Sequence, residues 1–497
     1  MNLKISISKI CILTIVILLI NNWSFGNTDP ENAKQGKVFR AGAATANITP
    51  PVGEGAIDEW YAEKQDIFVG GGSLSKMPIA NHVHDDFHAR CLVLDDSETK
   101  LVFVVMDNVI ANRELYDEAK RIIKEETDIP VENILMSVTH SHSVGSARAD
   151  GLPFNGYQKF VIRRLADVVR IALNNLEPAR IGWGVGYLPD HLFVRRWKMN
   201  PESDVPNPFG GQDQVRMNPG VGNPDLVKPA GEPDPGVSFI SVQSAGGKPI
   251  ALLANYSLHY VGGVPSGHIS ADYFAVFADR IQELLKADRQ DPPFVGIMSN
   301  GTSGNVNNVN YDGQPEKYAP YEKMKIVAED VAREVFRVHN TIEFHDWVPL
   351  GVAHSELALK IRKPDSEMMS YINNAKNKPD KRVGPHGSEK FYHERVLKMV
   401  DWPEYVNVIL QTFRIGDLGV AAIPFETFAE TGLEIKMKSP FNTSFTIELA
   451  NGGYGYLPTP AQHELGGYET WMSINRVEKE ASVKIVAKLL EMFATLR

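Results

Sequence analysis

Cysteine is nearly absent from this chain: its 497 residues include two, Cys11 and Cys91. Cys11 lies in the apolar run Ile10 to Ile20, which follows Lys4 and Lys9 and gives way to Asn21-Asn22 and small residues near Ser24 and Gly26. Basic, then apolar, then small is the order of a cleavable secretory signal, here expected over residues 1–26, and the run is short for spanning a bilayer. An uncleaved anchor is the other reading. Without that segment only Cys91 remains, which excludes an intramolecular disulfide and a cysteine-ligated zinc site. Any metal must then be held by His, Asp, Glu or Tyr.

Basic charge is also in short supply. Lys and Arg number 51 against 61 acids, a net charge of −10, and removing Lys4 and Lys9 with no acid takes it to −12. A chain of this sign is poorly suited to neutralising phosphates, so nucleic acid is not expected as a partner. No later segment is apolar enough to cross a membrane, which leaves peripheral contact at most. Repeats, low-complexity tracts and linkers are lacking too. With 43% hydrophobic and 23% charged residues, the composition is globular. After a polar leader at 27–36, one domain is expected over 37–497. The composition does not speak to oligomeric state, and the localisation expected from the signal is periplasmic or secreted.

What is present is a β-α-β pattern that ends in histidines. A strand at 100–110, with Asp107 near its end, precedes a helix at 113–126 and a buried strand at 133–138, which closes in Thr139-His140-Ser141-His142. Such units form parallel pairs whose ligands gather at strand carboxyl ends. Further apolar runs alternate with helical periodicity to the end of the chain. The expected class is α/β: a mixed, largely parallel sheet flanked by helices. Residues 199–235, crowded with Pro, Gly, Asn and Asp, read as a long irregular insertion of the kind that forms lids or rims.

Fourteen histidines are unevenly spread. His140 and His142 end one strand, and His259 ends another at Asn255-Tyr256-Ser257-Leu258-His259. Imidazoles from distant strand ends can converge on one ion, leaving a coordination position open for catalysis. A histidine satisfied by the backbone is the plainer alternative for any one of them. His82, His84 and His88 form a second group, suited equally to ligation or to ordinary loop polarity. Glu426 follows an apolar strand ended by Pro424 and suits either a carboxylate ligand or a helix-start glutamate. The turn Asn300 to Asn308 lacks the lysine of a phosphate loop, and Tyr454 and Tyr456 sit in a glycine-rich turn.

Together these residues resemble the neutral (non-lysosomal) ceramidase family. The resemblance is carried by Arg40-Ala41-Gly42-Ala43-Ala44, the Thr-His-Ser-His run, Arg195-Arg196-Trp197, and Asn255-Tyr256 through His259. It continues in the turn at 300–308, Pro424-Phe425-Glu426-Thr427, Gly455-Tyr456 and Gly467-Tyr468-Glu469. The resemblance implies a fold like that family's N-terminal catalytic domain. It also implies one zinc ion held by His140, His259, Glu426 and Tyr456, with Tyr454 the alternative to the last. His142 is then the candidate acid/base, while Arg195 and the 300–308 turn are candidates for orienting substrate or stabilising an oxyanion.

The implied activity is hydrolysis of an N-acyl bond, placing the chain in sphingolipid metabolism. Two departures matter. The family turn reads Gly-Asp-x-Ser-Pro-Asn, with a serine implicated in catalysis, whereas here it reads Gly304-Asn305-Val306-Asn307-Asn308, with Asn307 in the serine's place. The sequence also stops soon after the tyrosine motif, so an immunoglobulin-like C-terminal domain is not expected. The substrate is accordingly a lipid, another N-acyl compound or a glycan, with amidase, esterase or deacetylase chemistry on a glycan as the alternative. A binding protein that lost its chemistry is the further alternative.

Overall fold

A computed structural model describes residues 36–53, 57–58, 63–64, 68–69, 78–145, 147, 152–287, 291–376 and 386–497. The expected signal at 1–26 and most of the leader lie outside the described residues, as does most of the long loop before His82. Val38–Arg497 forms one compact unit. Among the described residues no helix is long and apolar enough to cross a membrane.

The fold is mixed α/β. An eight-stranded sheet runs in the order Val295–Asn300, Pro249–Tyr256, Gly236–Ser244, Glu177–Tyr187, Arg40–Asn47, His88–Asp95, Lys100–Met106, Ile134–Val138. A four-stranded sheet adds Leu350–Lys360, Tyr405–Ile415, Leu418–Ile423 and Thr443–Glu448. The expectation of largely parallel pairing is corrected: in the large sheet only the outermost pair at each edge is parallel. The reason is connection length. Asp96 to Thr99 joins two neighbouring strands and Ala245 to Lys248 joins two others. Linkers so short permit only hairpins, because a parallel return needs a crossover of a dozen residues or more. The predicted β-α-β unit does have its crossover, the helix Arg113–Glu126, and is parallel.

The two halves of the large sheet pair only through Arg40–Ala41 against Glu177–Pro178. Both halves turn one face toward the small sheet. Phe39, Phe103, Ile240, Leu253, Phe413 and Val420 consequently share one apolar core. Phe103 and Phe413 meet across it with ring centroids 5.0 Å apart, a contact worth about 0.5–1.5 kcal/mol beyond simple burial.

Helices Arg113–Glu126 and Gly156–Asn174 cover the outer face of one half. Asp272–Leu284 and Glu322–His339 cover the other, and Ala429–Lys438 and Ala481–Leu496 cover the small sheet. The helix at 156–174 starts with a reciprocal cap, Asn155 accepting from the Gln158 backbone while Gln158 accepts from that of Asn155, an arrangement that satisfies otherwise orphaned amides. With both faces covered, Ile134–Val138, Val295–Asn300 and Leu418–Ile423 are buried at every position. Doubly covered strands read as unbroken apolar runs.

The segment expected to be irregular contains order. Arg196–Met199, Val215–Met217 and Leu226–Pro229 form a small three-stranded sheet.

Candidate metal centre

Four strand ends converge on one buried point. The chain leaving Ile134–Val138 places His140 in the left-handed region (φ +64°), with its amide bonded to Asn108 O at 2.9 Å. A non-glycine residue there costs of order 1–3 kcal/mol, a strain that collects at functional sites. The chain leaving Pro249–Tyr256 brings His259 to the same point. His140 Nε2 lies 3.1 Å from His259 Nε2 and 3.2 Å from His142 Nε2. Past Leu418–Ile423, Glu426 sets Oε2 3.3 Å from His140 Nε2 and 3.8 Å from His259 Nε2. Glu426–Thr427 pairs in parallel with Tyr456–Leu457, Glu426 directly beside Tyr456. The Tyr456 phenol interacts electrostatically with the Glu426 carboxylate and with Arg195, whose guanidinium carbon lies 5.2 Å from its ring centroid.

These atoms fit a cation. His140 Nδ1 is bonded to Val109 O, and His259 Nδ1 lies 3.2 Å from Ser303 O. A carbonyl only accepts, so each Nδ1 carries the proton and each Nε2 presents a bare lone pair. Two such lone pairs 3.1 Å apart repel unless something positive lies between them. Glu426 Oε2 adds a buried oxygen that makes no hydrogen bond. Donors about 2.0–2.1 Å from a tetrahedral ion are separated by roughly 3.3 Å, close to the 3.1 and 3.3 Å from His140 Nε2 to His259 Nε2 and Glu426 Oε2. His140, His142 and His259 can together hold a metal ion.

Without a metal the charges pull in opposite directions. Burial works to lower the His140 pKa, but the adjacent Glu426 carboxylate outweighs it and the net shift is upward. Burial and the charges of His140, Arg195 and His142 drive His259 well below its ordinary value. For Glu426 burial acts upward, yet His140, Tyr456 and Arg195 bring it below the ordinary carboxylate range. Burial raises the Tyr456 phenol, with Arg195 opposing.

A second ring of residues fixes these groups. Glu448 is fully buried, and burial pushes its carboxyl up to about 8. It accepts from Ser303 Oγ at 2.6 Å and from the Thr427 amide at 2.6 Å. One side chain thus ties the carbonyl partner of His259 to the strand that carries Glu426. Arg195 donates to Glu469 Oε1 at 3.0 Å and to Gly304 O at 2.8 Å, while Arg196 donates to Glu469 Oε2 at 2.6 Å.

The structure therefore brings His140, His142, His259, Glu426, Tyr456 and Arg195 together. Tyr454 goes elsewhere, packing on Phe425 with centroids 5.7 Å apart. Gly455 between the tyrosines has φ +92°, which breaks the strand alternation that would have kept them on one face. Asn307 is half-buried and donates to Asn218 Oδ1 (3.0 Å) and to Tyr311 Oη (2.7 Å), and no described contact links it to the histidines. His82, His84 and His88 do not join the cluster. Sequence reasoning missed Glu448, and it quoted Glu469 and the turn holding Ser303 without assigning those two residues a positioning role. Of these only Glu448 carried a signal, as a carboxylate closing an apolar strand just as Glu426 follows one.

Solved structures with the same arrangement of elements exist. Neutral ceramidase from Pseudomonas aeruginosa superposes with a TM-score of 0.66, covering 93% of this chain and 75% of that one at 16% identity. The chain has the neutral ceramidase fold. A ceramidase complexed with C2 aligns with the same TM-score of 0.66, at 15% identity over 93% of this chain and 76% of that one. No protein-family model matches the sequence. No curated protein matches it either. At such identity the likeness to neutral ceramidase speaks for the fold, and the chemistry rests on the geometry of the site.

Proposed function

We propose that this chain is an exported zinc-dependent hydrolase that cleaves the amide bond of an N-acyl substrate. The observation that carries the reading is the meeting of His140, His259 and Glu426, with separations of 3.1, 3.3 and 3.8 Å between their donor atoms and Tyr456 beside Glu426. In this reading those four residues hold one zinc ion. What a bound zinc supplies is a water acidified to a pKa of about 7 and a Lewis acid for the carbonyl oxygen.

The remaining steps belong to protein side chains. His140 and His259 keep their Nε2 lone pairs inward because their Nδ1 protons are spent on backbone carbonyls. His142, its ring stacked on Tyr260 with centroids 4.0 Å apart, carries a proton at Nε2 to the departing amine nitrogen. General acid catalysis of this kind contributes about 10²–10⁴-fold. Arg195 holds positive charge beside the phenol oxygen of Tyr456 and favours its ionised form against burial. Asn307 contacts substrate. The substrate is a small N-acyl molecule, lipid or glycan, and nucleic acid is not a partner.

Metal analysis of the purified protein, paired with hydrolysis of a panel of ceramides and N-acylated sugars, tests the reading. One zinc per chain is expected, together with turnover that His140→Ala abolishes. Full activity in His140→Ala would sink the proposal. Stoichiometric zinc with no turnover on any N-acyl compound would leave a binding protein that kept the fold.

A further inference from the structure

A cavity of about 490 Å³ opens beside the metal centre, within the roughly 300–1,000 Å³ usual for small-ligand sites. Tyr468 stands between the two. Its ring is 5.8 Å from Tyr456 on one side, and on the other it lines the cavity 5.8 Å from Trp471. Asp213, together with Arg216 of the three-stranded sheet, adds charged groups to the lining.

The wall is held in place by the groups that hold the metal centre. Glu469, which fixes Arg195, lies between Tyr468 and Trp471 in the chain and is completely buried. Gly467 before them has φ +89°, and a Cβ there would lie 2.8 Å from the Arg196 guanidinium, so the turn accepts no larger residue. The Trp471 indole donates to Asp213 Oδ2 at 2.8 Å, and His386 meets Trp471 edge-on at 4.8 Å. Burial lowers the His386 pKa, leaving a neutral ring able to donate and accept.

Three kinds of ligand can be weighed against this lining. An alkyl chain would cover Val205, Pro206, Val215 and Met217, but it would strip water from Asp204, Arg216 and His386 and return no hydrogen bond, at a cost of about 1–3 kcal/mol for each group left unsatisfied. An anion such as phosphate would face two carboxylates against one guanidinium. A hydroxylated ring offers the charged groups hydroxyls and lays its C–H face against Tyr468 and Trp471, the use for which amphipathic aromatic rings are suited.

We infer that this cavity binds a glycosyl ring of the substrate and thereby sets the N-acyl bond at the metal centre. The second half of that statement rests on the hydrolase reading, while the first does not. The ring could belong to a free glycan or to a glycolipid headgroup.

The test uses the full-length protein and its His140→Ala variant, whose metal centre is disabled and whose cavity is intact. N,N′-diacetylchitobiose and micellar glucosylceramide are titrated by calorimetry, with unglycosylated ceramide micelles as the blank. At least one glycosyl probe is expected to bind wild type and His140→Ala alike. Arg216→Ala and Asp213→Asn should each weaken binding tenfold or more without shifting the thermal melt. Arg216 is exposed, so its variant keeps the test sound if Asp213→Asn disturbs the turn. Binding of chitobiose alone identifies a free glycan, and binding of glucosylceramide alone a glycolipid headgroup. Failure of both probes, or binding indifferent to both substitutions, overturns the inference. Zinc and ceramide turnover without glycosyl binding would refute the cavity's role and leave the hydrolase reading standing. Cavity-dependent glycosyl binding without zinc would do the reverse.

Discussion

Two histidine clusters in this molecule contain similar residues and do different things with them. His140, His142 and His259 are held with Nε2 atoms 3.1–3.2 Å apart, and both His140 and His259 have the opposite ring nitrogen turned to a carbonyl. His82 and His268 face each other on a short parallel pair, their rings 4.3 Å apart and tilted by 45°. Nearby, His84 stacks flat on Tyr321 with centroids 3.6 Å apart, and His268 Nδ1 meets the Tyr321 hydroxyl at 2.5 Å. Among the described residues only the first cluster brings three ligand atoms within 4.8 Å of one another. Proximity of imidazoles is thus not enough. What separates the clusters is the buried carbonyl behind His140 and behind His259, which decides where the lone pair points. His82 and His84 are exposed, so water can satisfy them.

The comparison breaks if both clusters respond alike to substitution. The largest effect is expected from His140→Ala, which should remove stoichiometric zinc and with it all turnover, as read by elemental analysis and an amide-hydrolysis assay. His142→Gln should lower kcat by about 10²–10⁴-fold while retaining zinc; loss of the metal would instead make His142 a ligand. Glu448→Gln disturbs the tie between Ser303 and Thr427 and should weaken metal affinity by about 10–100-fold, the usual scale for groups that orient ligands. Competition with a chromophoric chelator measures this.

Acid should act on the first cluster in a definite direction. In the metal-free protein His259 lies well below its ordinary 6.5, so the unfolded chain binds more protons than the folded one. Stability from this group is intact above 6.5 and falls as pH drops below it. His140, moved upward, acts oppositely: its contribution is full below 6.5 and is lost as pH rises through its raised value. Melts of chelated His140→Ala protein between pH 5 and 8 isolate the His259 contribution and should show destabilisation in acid. The smallest effect is expected from His82→Ala with His84→Ala, which should leave zinc content unchanged and stability within about 0.5 kcal/mol.

What the sequence made legible follows from what strands must do. A doubly covered strand reads as an apolar run, so the positions where such runs give out, at His140, His259 and Glu426, could be found without coordinates. Strand direction was less visible, because an apolar run is the same in either sense. The short Asp96 to Thr99 and Ala245 to Lys248 connections were the clue that most pairs are antiparallel. The small sheet in 199–235 has strands of three or four residues, too short for periodicity to register. Ser303 and Glu469 act through a partner's backbone or through another side chain, and no spacing along the chain encodes that. Tyr456 was separable from Tyr454 only once the backbone at Gly455 was seen.

The four proposed ligands enter the chain at 140, 259, 426 and 456, and that spread has a consequence for biogenesis. Closing loops of this length is entropically costly and slow relative to local structure. In the proposed reading the site is complete only when its last strand pair, Glu426–Thr427 with Tyr456–Leu457, is formed, because His140, His142 and His259 by themselves leave it without its carboxylate and phenol. Under that reading, acquisition of the metal at full affinity would be a late checkpoint that reports on completion of the whole fold. Chelation during refolding should therefore stall the final step and leave earlier ones untouched.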